Sequence, residues 1–184
     1  MLFRSGFGRS DTLFRLYELD NLNFINEMLS EGFYIADESY ANYTQTRTSL
    51  ASSLNMIYLD DVVNVIGDDT FDYYPAYLMI KDSIVENTFR ALGYEMVAFP
   101  SDVSFTNFHD WDVFYQPKFV PDYYLRSFIS STALSVFLNS FNYKWHSEMI
   151  DFTIKKIPIV GTREGPQFVF AHIPSPHPPF IYNS

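Results

Sequence analysis

The run Gln167-Phe168-Val169-Phe170-Ala171-His172 constrains this chain more than any other stretch. Successive side chains of a strand point to opposite faces of its sheet, so a strand with one wet face alternates apolar and polar residues. Here apolar residues fill both faces, as in a parallel sheet covered by helices on each side. Parallel strands cannot be joined by tight turns and need long crossovers, usually helical. The expected class is therefore α/β, with βαβ crossovers and a mostly parallel sheet.

The rest of the chain supplies candidate crossovers. Leu22, Ile25, Met28 and Leu29 recur at helical spacing, with Asp20 or Asn21 as N-cap and Gly32 as stop. Phe33-Tyr34-Ile35-Ala36 then reads as a short strand. A helix is expected over Thr48–Asn55 and another over Tyr77–Leu92, closed by Gly93. The segment 60–77, with Asp60, Asp61, Asp68, Asp69 and Asp72, reads mostly as a solvated loop. Tyr94–Phe99 is a buried strand stopped by Pro100. Two more helices are expected over 122–140 and Trp145–Lys156, the second ended by Pro158 and Gly161. The tail Pro174-Ser175-Pro176-His177-Pro178-Pro179 is loop, since proline lacks the N–H that helices need. Helix–Gly–strand at Gly32 and at Gly93 predicts a doubly wound sheet, whose ligands gather beyond the carboxyl ends of the strands.

Composition removes several classes of function. The 184 residues fit one domain, since domains run to about 100–200 residues. Twelve Lys and Arg against 22 Asp and Glu give a net charge of −10, which argues against nucleic acid and against anionic membrane surfaces. With no cysteine, there is no disulfide framework, thiolate metal site or Cys nucleophile. Met1-Leu2-Phe3-Arg4-Ser5-Gly6 leads into no apolar stretch of signal-peptide type. No apolar run approaches the roughly 18 residues of a membrane-spanning helix, so the chain as written is expected to be soluble.

Two places could carry chemistry. In Ser39–Asn55 a hydroxyl-rich loop leads into a helix, so Thr46 or Thr48 would lie near a helix N-terminus, where N–H groups and the dipole favour an anion. Such a hydroxyl is either an activated nucleophile or simply a helix cap. In His172-Ile-Pro-Ser-Pro-His177-Pro-Pro-Phe, two histidines flank a stiff strand exit. They could bind a metal or an anionic oxygen, or be ordinary hydrogen-bonded loop histidines. Asn42-Tyr43-Thr44 matches a glycosylation sequon. The acidic cluster lacks calcium-loop spacing, and His109 and His146 read as surface or packing histidines.

Three stretches together point further: Gly6-Phe7-Gly8-Arg9-Ser10-Asp11-Thr12-Leu13, the run from Asn42 through Thr46 to Asn55, and the run from Phe168 through His172 and His177 to Phe180. In order, and over nearly the whole chain, they resemble the sulfatase-like branch of the alkaline phosphatase superfamily. That branch includes lipoteichoic acid synthases and phosphoethanolamine transferases. The resemblance implies a three-layer α/β/α sandwich and a divalent metal (manganese, zinc, magnesium or calcium). It implies Thr46 as nucleophile and metal ligand. His177 would contact the transferred phosphate or a second metal, with His172 a weaker match for substrate binding. The substrate would be a small-molecule, lipid or glycan phosphate or sulfate ester. No Cys- or Ser-x-Pro-x-Arg formylglycine signature surrounds Thr46, which favours phosphoryl transfer over sulfate-ester hydrolysis. Relatives often act on the outer face of a membrane, extracellular or periplasmic, and are anchored there.

The chain departs from that pattern in two places. Ser5 stands where relatives carry an acidic metal ligand at the end of the first strand, with no strand expected before it. The downstream Asp-His-Gly motif is not reached. Residues 1–184 therefore read as a partial catalytic domain without its first strand and C-terminal half, inactive as this chain alone. The alternatives are a non-catalytic domain of the same fold that binds an anionic glycan or a protein partner, and a truncated product with exposed apolar edges.

Overall fold

The computed structural model describes residues 2–4, 8–36, 38–67, 72–118, 121, 123–132 and 135–175. The chain is α/β. Its strands are β1 (Leu2–Arg4), β2 (Glu95–Ala98), β3 (Val113–Phe114) and β4 (Gln167–Ile173). They form one parallel sheet in the order β1-β4-β2-β3, with Val97 opposite Val169 and Phe3 opposite His172. The helices are α1 (Ser10–Tyr17), α2 (Leu22–Ser30), α3 (Thr46–Asn55), α4 (Asp60–Ile66), α5 (Tyr74–Lys81), α6 (Ile84–Ala91), α7 (Tyr123–Ser130) and α8 (Ser135–Val160).

The apolar run that opens the case for a parallel sheet is β4, and both its faces are covered. Phe168 and Phe170 join Met96 and Ala98 of β2 against Leu50, Ala51 and Leu54 of α3 and Ile80 of α5. Ala171 and Val169 join Val97 and Phe99 against Phe152, Ile157 and Val160 of α8. This is the pleat at work: neighbouring residues of β2 and β4 feed opposite cores. Removing a phenylalanine side chain from water stabilises by about 1.5–3 kcal/mol, and Phe99, Phe108, Phe168 and Phe170 are all buried here. Rings stack across the larger core, Phe108 on Trp111 at 4.4 Å and Phe89 on Phe168 at 4.7 Å between centroids.

A buried amide ties three helices together. Asn55, the last residue of α3, donates through Nδ2 to Ala51 O and to Met79 O of α5, both at 2.8 Å. Its Oδ1 accepts the N–H of Ile84, the first residue of α6, at 3.1 Å.

Several sequence expectations need correction. A strand does precede Ser5, where none was expected: β1 lies parallel to β4. Three residues are too few to show a period of two, which is why the sequence hides it. Phe33–Ala36 is not a strand; Tyr34 is 90% exposed and no ladder flanks it. Only Gly93, at φ +80°, makes the helix–Gly–strand junction. The expected loop at 60–77 contains α4 and the start of α5. Asp60 and Asp61 occupy the first turn of α4, where the dipole favours acids, and Pro75 opens α5, where a missing N–H costs nothing. Asp68 and Asp69 lie outside the described residues.

The helix expected over Tyr77–Leu92 is two helices, because Ser83 begins a new one. Its hydroxyl accepts the N–H of Glu86 at 3.2 Å, the geometry of an N-cap. The helix expected over 122–140 likewise breaks after Ser130, and its second half is the beginning of α8. Pro158 does not end that helix. It sits in the last turn, and the chain leaves the helix at Gly161. Among the described residues no helix is long and apolar enough to cross a membrane.

Candidate functional site

In a parallel sheet every strand delivers its exit loop to the same edge. The β2 exit runs Phe99-Pro100-Ser101-Asp102-Val103 into a single 3-10 turn, Ser104–Thr106. Asn107 shapes this loop with one side chain. Its Oδ1 accepts the N–H of Ser101 at 2.7 Å and its Nδ2 donates to Ser101 O at 3.0 Å, standing in for a strand neighbour. The hydroxyl of Thr106 donates to Val103 O at 2.8 Å.

His172 meets this loop from β4. The ring is only 2% exposed, and its Nδ1 lies 3.1 Å from Ser101 Oγ and 3.3 Å from Thr106 Oγ1. Because the proton of Thr106 already goes to Val103 O, Thr106 can only accept from His172, which assigns the imidazole proton to Nδ1. Burial pushes the His172 pKa down to about 4, so the ring is neutral at pH 7.

Thr46 is the first residue of α3 and is half-buried. The helix is held from its N-terminal side: Asn42 Oδ1 accepts the hydroxyl of Ser49 at 2.6 Å, and Tyr43 Oη accepts the N–H of Leu59 at 2.7 Å. Neither threonine caps. The N-cap is Gln45, which makes no side-chain cap, and Thr48 donates to Gln45 O at 3.0 Å. Next to Thr46, the Arg47 guanidinium covers the Tyr73 ring at 4.7 Å and the Phe105 ring at 5.1 Å. Phe105 belongs to the same 3-10 turn whose Thr106 touches His172. The N-terminus of α3 and the end of β4 thus converge on one turn. His177, Gly6 and Ser5 lie outside the described residues.

Sequence reasoning missed a second constellation at this edge. Asp102 accepts from Arg126 of α7 through Oδ1 and from His146 of α8 through Oδ2. Burial alone would raise the Asp102 pKa, but His146 and Arg126 outweigh it and hold the carboxyl below its ordinary value. His146, read from sequence as a surface or packing residue, is instead the partner of a buried carboxylate. Beside this group lies a cleft of about 710 Å³ whose wall includes Lys81, Ser101, Asn107, His109, Tyr124 and Arg126. Lys81 donates to Asn107 O and sits 4.4 Å from the Phe108 ring; burial lowers its pKa.

A divalent ion takes about four to six donors. Thr46 offers one. Among the described residues no group of three or more His, Asp or Glu could hold a metal. Comparison with protein-family models, with curated proteins and with solved structures gave no match.

Proposed function

We propose that this chain belongs to a sulfatase-like hydrolase or phosphotransferase that acts on phosphate or sulfate esters, with Thr46 as nucleophile. The sheet would then be the central layer of an alkaline-phosphatase-like α/β/α sandwich. The observation that carries the reading is the convergence of the α3 N-terminus and the β4 exit on the turn Ser104–Thr106. In such a transfer Thr46 Oγ1 forms a bond to phosphorus while the ester P–O bond breaks. The hydroxyl proton ends on the departing alcohol. Water or an acceptor hydroxyl then forms the new O–P bond as the Thr46 Oγ1–P bond breaks, and its proton returns to Thr46 Oγ1. The unpaired N–H groups at the start of α3 favour the negative charge of the group in flight.

A divalent metal belongs to this proposal, with its other donors outside the described residues. The substrate would be a small-molecule, lipid or glycan ester, met on the extracellular or periplasmic face. A second reading, a non-catalytic domain of this fold that binds an anionic glycan or a protein, is favoured by the exposed apolar side chains of α1 and α2, among them Phe14, Leu22 and Leu29.

The test is manganese- or zinc-dependent cleavage of a chromogenic phosphodiester by the full-length protein. Thr46→Ala is expected to lower turnover by about a thousandfold or more, as loss of a nucleophile does, while Thr46→Ser retains part of it. Unchanged turnover in Thr46→Ala removes Thr46 from the mechanism. Binding of a glycan with no metal-dependent turnover favours the second reading.

A further inference from the structure

Adjoining the cleft is a small chamber of about 10 Å³ lined by Asp102, His146, Thr153 and His172, and it shares Pro100, Ser101 and Met149 with the cleft. That volume is about the least that admits one water molecule. Donor and acceptor counting shows why one is wanted.

Asp102 is ionised and can only accept, so His146 must present Nδ1–H to it. With a single imidazole proton, held on Nδ1, Nε2 is left as a bare acceptor. His146 is 5% exposed, and its Nε2 is buried without a hydrogen-bond partner. A buried acceptor left unmatched keeps the full cost of losing its water. Ser101 has the complementary surplus. Its Oγ accepts from the N–H of Val103 at 3.2 Å and from His172 Nδ1–H at 3.1 Å, so its own proton remains to be donated.

We propose that one water molecule occupies this chamber, accepts the Ser101 hydroxyl proton and donates to His146 Nε2. The arrangement joins His172, Ser101, water, His146 and Asp102 in a single directed hydrogen-bond chain. Ser101 is the member that lines the cleft, and Asp102, steadied by Arg126, is the charged end. A proton can pass between the cleft wall and His146 without any charged side chain becoming exposed. Thr153, 1% exposed, adds a further hydroxyl to the chamber wall. The inference is independent of which ester, if any, the cleft accepts.

Proton-detected ¹⁵N spectroscopy of the imidazoles in the full chain, with water-to-protein cross-relaxation, tests the chain directly. The expected result at neutral pH is His146 and His172 both protonated on Nδ1, and a long-lived water contact at the His146 ring. Ser101→Ala removes the donor, and the water contact is then expected to vanish while His146 keeps its Nδ1 proton. A dry chamber in the wild type, a His172 proton on Nε2, or a water contact unchanged in Ser101→Ala overturns the proposal. Should Ser101→Ala fail to fold, the two wild-type measurements still decide it.

Discussion

Helices α2 and α3 are nearly equal in length and have exchanged the environments their sequences suggest. α2, LNFINEMLS, is the more apolar and has an evident stripe, yet buries no residue; Leu22 stays 58% exposed. α3, TRTSLASSLN, is mostly small and polar, yet buries Leu50, Ala51, Ser52, Leu54 and Asn55. Small side chains let α5 and α6 approach closely, and Asn55 then bonds to both. An amphipathic stripe states which face would be buried; only a partner decides whether it is. The contrast also locates rigidity, since the helix with the proposed nucleophile at its first residue is the one fastened to the sheet.

The contrast can be broken most directly by truncation. Leu50→Ala or Leu54→Ala in α3 is expected to destabilise by about 2–5 kcal/mol, as buried leucines do. Leu22→Ala in α2 should remain within about 0.5 kcal/mol. Urea unfolding of the three variants compares them, and equal effects would mean that α2 is packed in solution.

A second test uses acid. The folded pKa of His172 lies near 4 against an ordinary 6.5, so from pH 6.5 downward the unfolded chain binds a proton that the native chain refuses. Stability is therefore full above pH 6.5 and falls progressively towards pH 4, by at most about 3 kcal/mol. The Asp102 carboxyl, held below its ordinary 3.8, contributes stability that is lost only below that window. His172→Asn, which keeps a donor near Nδ1, should flatten the slope between pH 6.5 and 4 in denaturation curves. A slope that persists assigns the effect to another group.

The smallest difference concerns a cap. Ser83→Ala, which removes the acceptor for Glu86 N–H, is expected to lower stability by about 1 kcal/mol. Ser30→Ala, at an exposed hydroxyl that bonds only to Glu27 O within α2, should leave the melting temperature unchanged.

Much of the sheet was legible because β2 and β4 are long enough to be apolar on both faces. β1 and β3, with three and two residues, carry no period, and their places are fixed by pairing alone. The split between α5 and α6 was present in the sequence as Ser83-x-x-Glu86, a cap signature inside a continuous helical pattern. α4 stayed hidden because its aspartates read as loop residues, although acids are as much at home in a first helical turn. Thr46 and Thr48 fell at the start of a helix as expected. The group formed by Asp102, Arg126 and His146 was not legible. Its members are 24 and 44 residues apart and are brought together only by the packing of α7 and α8 on the β2 exit.

The order β1-β4-β2-β3 has a consequence for how such a chain comes off the ribosome. The strand at residues 167–173 is the seam between β1 and the β2–β3 pair. Until that seam has been synthesised, the first strand has nothing to pair with and Phe99, Met96 and Val97 lack half of their neighbours. Such contacts, spanning up to about 170 positions, close late and slowly. A nascent chain paused before Gln167 would present open strand edges, the kind of surface that chaperones hold and aggregates exploit.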